Sequence, residues 1–286
     1  MPAFPIIDSH VHLYNLERFT YGWLKNVPKI ARTHEMPDFD AARGPVEIEK
    51  LVFAEVAIDP GLHLKEAAYV QAMADADKRV AGIIAHAPLE KGPSIEADLV
   101  ALKENRNLVG IRRLIETERD PSFCIAPDFI AAVKLLPKHG LTFDICVKQW
   151  AMTYAIELVR RCPQVSFVLD HIGKPDIRNG LRQPWWDQIK ELASLPNVVC
   201  KISGVVTEAD HRHWTREQVK PYVARAIECF GFERCMYGSD WSVSNLTHAY
   251  PDWVSILDEV IAGASEAEQR ALYRDTATRV YGLGGR

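Results

Sequence analysis

Ile6-Ile7-Asp8-Ser9-His10-Val11-His12 is a short apolar run that carries one acid and two imidazoles, and the fold turns on how it is read. On a β-strand, side chains two apart share a face, so Asp8, His10 and His12 are expected on one side. An ordinary core strand has no use for paired imidazoles. At the carboxyl end of a first strand they can hold a metal ion or bind a polarised substrate.

Further β-branched runs follow at 51–57, 80–86, 108–114, 141–147, 165–171, 198–203 and 235–240, which with 5–12 makes eight strand candidates. Helical spacing fills most of the intervals. Phe129, Val133 and Leu136 lie on one helical stripe behind Pro127, and Met152, Ile156 and Val159 on another. Thr215 to Gln218 and Ser265 to Glu268 have the form of capping boxes, and Gly140 suits a helix C-terminus. Eight strands alternating with helices over residues 1–286 predict an α/β fold, a single-domain (β/α)8 barrel of the TIM type. No G-x-G-x-x-G follows the first strand, which argues against a dinucleotide-binding sheet. The interval 13–50 exceeds a normal crossover and is expected to form a long loop insertion over the active-site face.

Composition narrows the function. Apolar residues make up 48% of the chain and charged ones 25%, enough for an ample core in a globular protein. The formal charge of -4 leaves no electrostatic footprint for nucleic acid or an anionic membrane. No apolar run approaches the roughly 20 residues that cross a bilayer, and no secretory signal is evident. The six cysteines form no C-x-x-C pair, so they read as reduced thiols in a cytoplasmic protein.

In such a barrel, chemistry collects where the strands end. Those positions supply His10 and His12, Glu55, His86, Arg112 and Arg113, Asp144 with Lys148 and Trp150 beyond it, Asp170 and His171, Lys201, and Asp240 with Trp241. Unpaired buried charge is expensive, so a charged group on nearly every strand end is hard to explain by packing. Alternation lets only one of Arg112 and Arg113 face the interior. The same rule favours His171 over Asp170 for a functional role and leaves Asp170 structural. Glu55 and Asp144 read equally as functional acids or as partners of a buried Arg or Lys, and His86 reads as a core histidine. Asp240 lies at the mouth of the last strand, beside the first, where a carboxylate can take a proton from water or ligate a cation.

The ordered set of D-x-H-x-H at 8–12, L-D-H-I-G-K-P at 169–175 and Y-G-S-D-W at 237–241 resembles the amidohydrolase superfamily. The likeness is greatest to its branch of sugar and dicarboxylate lactonases, and Thr276 to Leu283 resembles that branch's closing helix. The resemblance implies a distorted (β/α)8 barrel with Asp240 as general base. It places His10, His12 and His171 around the reacting carbonyl, as ligands with Asp240 of one divalent cation such as zinc, or as direct hydrogen-bond donors without a metal. Ser242 and Ser244 stand where the branch often has Pro and Cys, and Thr276-Ala277 replaces Asn-Ala. Val109-Gly-Ile-Arg-Arg113 has no lysine to be carboxylated, so no two-metal centre is expected.

The expected reaction is hydrolysis of a small sugar or carboxylated lactone to its hydroxy acid. The histidines and one of Arg112 or Arg113 would stabilise the oxyanion. Lys148, Lys174, Arg178 and Glu55 are candidates to hold substrate, with Trp23, Trp150 and Trp241 as aromatic walls. The alternative is a metal-dependent decarboxylase of the same superfamily, acting on an unsaturated or aromatic acid. The partner is a small molecule in either case, and a homo-oligomer is left open.

Overall fold

Each of the eight runs becomes a strand, and each pairs in parallel with the next in chain order. They are β1 (Ile6–Val11), β2 (Ile48–Ala54), β3 (Val80–His86), β4 (Leu108–Arg112), β5 (Thr142–Ile145), β6 (Phe167–Leu169), β7 (Val198–Ile202) and β8 (Cys235–Tyr237). The structure, a computed structural model, describes residues 2–285. The ring closes through the continuation of β8. Val11 bridges Trp241, the Asp240 N–H donates to the His10 carbonyl at 3.0 Å, and the His12 N–H donates to the Trp241 carbonyl at 2.5 Å. The expected (β/α)8 barrel is present.

The strand ends differ from the sequence reading in ways that matter for the site. β2 stops at Ala54, β6 at Leu169 and β8 at Tyr237, so Glu55, Asp170, His171 and Asp240 sit on the turns that follow. β1 has a register irregularity between Asp8 and Val11. It separates Asp8 from the two histidines: Asp8 Oδ2 accepts from the Tyr250 hydroxyl at 2.8 Å and Oδ1 from Ser239 N–H at 2.9 Å. The expected one-sided trio is therefore a pair. Asp8 instead ties β1 to the segment after β8, and burial raises its carboxyl to about 6 against the pull of those donors.

Two apolar clusters fill the molecule. The larger lies between strands and helices. Within the barrel, Ile7, Ala81, Val109, Val168, Val199 and Met236, each the second residue of its strand, pack with Ala277, Tyr281 and Leu283. The C-terminal helix Thr276–Tyr281 thus stoppers the end where the strands begin, leaving the opposite end for the polar groups. The second helical stripe forms as read, with Met152, Ile156 and Val159 buried on Met152–Arg161, whereas the first is divided: Phe129 and Val133 are buried on the helix Pro127–Val133, and Leu136 on the separate turn Leu136–His139. Both capping boxes close, and Gly140 takes the left-handed conformation at φ +67°.

Between β1 and β2 the chain runs through single turns at Gly22–Asn26 and Pro28–Ile30 and a helix at Met36–Arg43. Trp23 and Val27, on the first part, border the cavity described below. The helix joins the outer layer, with its Phe39 edge-on to Trp241 and Tyr250.

Candidate active site

His10, His12, His171 and Asp240 meet at the mouth of the barrel. Asp240 Oδ1 lies 3.2 Å from His12 Nε2, 3.8 Å from His10 Nε2 and 3.9 Å from His171 Nε2. All four are buried, and the rings of His10 and His171 lie 4.5 Å apart. Asp240 and His171 hold left-handed backbone at φ +58° and +54°. Such a conformation costs a non-glycine residue on the order of 1–2 kcal/mol, and it re-aims side chains that plain alternation would send elsewhere. Space is tight. A Cβ on Gly204, itself at φ +56°, would fall 2.4 Å from His171 Nδ1 and 2.8 Å from Asp240 Oδ2.

A buried ionic network supports His10 from below. Arg112 Nε donates to Glu55 at 2.7 Å, and its Nη1 lies 3.0 Å from Asp170 and 3.2 Å from His10 Nε2; Nη2 also meets the Glu55 carbonyl. Lys201 Nζ donates to Asp144 at 2.7 Å, reaches Asp170 at 3.1 Å and His10 Nδ1 at 3.3 Å. Tyr281, from the stopper helix, donates to Asp144 at 2.8 Å. Two cations against three carboxylates satisfy a desolvation demand that neither sign could meet alone.

The protonation states follow. His171 is pushed down to about 4, by burial above all, with Asp240 opposing; His10 is pushed well below its usual value by burial, Lys201 and His171 against the pull of Asp170. Asp240 is held below the usual carboxylate range because the three imidazoles outweigh its burial. It is therefore a carboxylate at neutral pH.

His12 Nδ1 lies 2.9 Å from the Ala54 carbonyl, so that nitrogen carries the ring's proton. Its Nε2 faces a carboxylate oxygen at 3.2 Å and His10 Nε2 at 3.2 Å. Acceptors converging this way call for a cation or a shared proton between them. His10, His12 and Asp240 present donor atoms within 4.8 Å of one another, as do His10, Asp170 and His171. This donor set fits a divalent ion of the zinc class.

Above these groups a cavity of about 430 Å³ opens, bordered among others by His12, Trp23, Arg112, Glu116, Lys148, His171, Lys174, Glu208 and Asp240. A wider groove of about 880 Å³ continues outward past Lys148, Trp150, Lys174, Arg178 and Glu208. The expected residues thus divide. Arg112 faces the interior; Arg113 instead pairs with Glu90 at 3.0 Å and Glu118 at 2.6 Å. Trp241 lies in the core, edge-on to His34 and Phe39, so it forms no wall of the cavity. Glu55 is spent on Arg112. His86 lies edge-on to His63 outside both donor clusters.

Asp170 corrects the sequence reading. Alternation excluded it from the site beside His171, but β6 has already ended at Leu169, and both side chains contact His10. Sequence reasoning missed Ser203, whose Oγ is 2.9 Å from His171 Nδ1, and the acids Glu116 and Glu208 around Lys174. Glu208, inside the polar run Thr207-Glu208-Ala209-Asp210-His211, gives no periodic signal to find it by.

Residues 7–283 match the amidohydrolase family model, and the chain belongs to that family. It is 30% identical over 288 residues to an L-fucono-1,5-lactonase of Burkholderia multivorans, covering 97% of this chain and 96% of that one. An L-rhamnono-gamma-lactonase of Scheffersomyces stipitis is 23% identical over 341 residues, 99% of this chain and 100% of its own. A crystal structure of a B. multivorans amidohydrolase with bound zinc superposes at a TM-score of 0.87 and 28% identity, over 98% of this chain and 100% of the other. The chain is accordingly a member of a hydrolase family.

Proposed function

We propose that this amidohydrolase opens a small sugar or carboxylated lactone to its hydroxy acid, with Asp240 as the base that takes a proton from the attacking water. The observation that carries this reading is one carboxylate oxygen within 3.2–3.9 Å of three imidazole nitrogens beneath a cavity of about 430 Å³. That volume suits a single sugar ring.

Asp240 is ionised and desolvated, so its oxygens are ready to accept a proton without first shedding bulk water. With the Ser203 hydroxyl as donor to His171 Nδ1, 2.9 Å away, Nε2 carries the ring proton in this reading and donates it to the carbonyl oxygen as that oxygen gains charge. The Arg112 guanidinium, held by Glu55 and Asp170, adds fixed positive charge at the same wall. A divalent ion held by His10, His12 and Asp240 would supply Lewis-acid polarisation of the carbonyl when bound. In this reading Lys148 and Lys174 hold hydroxyls or a carboxylate and Trp23 and Trp150 the ring face, a role supported by their position along the cavity and groove.

Six cysteines without a disulfide support a cytoplasmic location for this step of carbohydrate breakdown. Among the described residues no helix is long and apolar enough to cross a membrane. The partner in this reading is the small-molecule lactone, with neither nucleic acid nor membrane, and a homo-oligomer is compatible with it.

A screen of aldonolactones and dicarboxylate lactones with a pH indicator tests the reading. Acid release from at least one lactone supports it. Inert lactones together with carbon dioxide release from an aromatic or unsaturated acid would establish the decarboxylase instead.

A further inference from the structure

Lys174 stands between two acids. Glu116 holds it with both oxygens, at 2.6 and 2.8 Å, and also accepts from Cys146 Sγ at 3.4 Å. Glu208 approaches the same ammonium only to 3.9 Å. One cation thus faces two carboxyls in a half-buried pocket, and Glu116 has the stronger claim on it. Glu208 is left with the longer and weaker pairing. Glu208 borders the catalytic cavity together with Asp240, and it also borders the outer groove that leads to solvent. Its loop is pinned: the Glu208 carbonyl accepts from Arg178 N–H at 3.0 Å, and Thr207 Oγ1 donates to the Gly204 carbonyl at 2.7 Å.

Lactone hydrolysis needs a base for the water and an acid for the ring oxygen, which leaves as a poorly stable alkoxide unless protonated. We propose that Glu208 is the proton donor to the departing ring oxygen, separate from the base Asp240; this rests on the lactonase reading above. The water oxygen forms its bond to the acyl carbon as its proton passes to Asp240. The acyl carbon–ring oxygen bond then breaks while the Glu208 proton moves to that oxygen. The product is the hydroxy acid; Asp240 then releases the proton it took to solvent in the cavity, and Glu208 regains one through the groove it borders.

The electrostatics agree with this division. Burial raises the Glu208 carboxyl, Glu116 and Asp240 push it further up, and Lys174 and Lys148 oppose. Lys174 outweighs burial at Glu116 and holds that acid down. Glu208 raised and Asp240 lowered are two carboxyls of one cavity driven apart, as an acid and a base sharing a site are.

The test compares wild type and Glu208→Gln on an aldono-1,5-lactone and on the thiolactone of the same sugar, whose thiolate leaves without help. The variant should lose about 100-fold in kcat on the oxygen lactone, with KM within about threefold, and less than about tenfold on the thiolactone. The fall of wild-type kcat as pH rises should vanish in Glu208→Gln and persist in Glu208→Asp. Because the two substrates are compared within one variant, partial misfolding cancels. Equal losses on both substrates, a change in KM alone, or near-normal turnover in Glu208→Gln would overturn the assignment and return the second proton transfer to Asp240. A wild type that opens no lactone would instead sink the functional reading itself.

Discussion

Asp240 Oδ1 and His12 Nε2 stand 3.2 Å apart, while His12 Nδ1 donates to the Ala54 carbonyl at 2.9 Å. A carboxylate oxygen and this ring nitrogen, with His10 Nε2 beside them, make a place for a cation. Zinc titrated into metal-stripped protein should therefore bind at one equivalent, and His12→Ala should weaken that binding at least about tenfold. Calorimetry with elemental analysis reads this directly; unchanged affinity in the variant would place the metal elsewhere.

The two adjacent arginines should behave oppositely. Arg113 pairs with half-exposed Glu90 and Glu118, so Arg113→Ala should leave kcat/KM within about twofold and cost under about 1 kcal/mol. Arg112→Met removes oxyanion charge and strands Glu55 and Asp170. A loss on the order of 100-fold in kcat/KM is expected, with clear destabilisation. Equal effects of the two changes would contradict the placement.

Lys201 neutralises Asp144 and Asp170 where neither reaches water. Lys201→Met should cost about 3–5 kcal/mol in urea unfolding, because it leaves buried carboxylates uncompensated. A loss below about 1 kcal/mol would mean the network is relieved in some other way.

His34 makes stability pH-dependent. It is buried, edge-on to Tyr14 and Trp241, and burial with Arg32 nearby pushes it down to about 4 against Asp38. The folded state therefore binds fewer protons than the unfolded one, whose histidine titrates near about 6.5. Its contribution is complete above that pH and is lost as pH falls toward about 4, by up to about 3 kcal/mol. His34→Phe should flatten unfolding midpoints between pH 7.5 and 5; an unchanged slope would assign the acid sensitivity to other groups.

What could be read from the chain, and what could not, divides on backbone regularity. Eight strands and the capped helices follow from local periodicity, and His10, His12, His171 and Asp240 stand at strand ends where a barrel concentrates chemistry. Alternation also separates Arg112 from Arg113, though it cannot say which faces inward without knowing where the barrel wall lies. It fails where the chain stops being a strand. At Asp170 and His171 a left-handed turn brings neighbours to one place, and at β1 a register irregularity divides Asp8 from the histidines. Glu208 is a matter of tertiary approach alone. Trp241 offers the flat aromatic face that suits a sugar ring, yet that ring fills the core against His34 and Phe39.

The most direct measurement is lactone turnover by Asp240→Asn, with circular dichroism and thermal unfolding recorded on the same sample. The amide keeps the shape of the side chain and cannot take the proton from water. Turnover should fall by about 1,000-fold or more while the fold and melting stay near those of the wild type. Turnover within about tenfold of wild type in a folded Asp240→Asn protein would show that the carboxylate beside the three histidines is not the base.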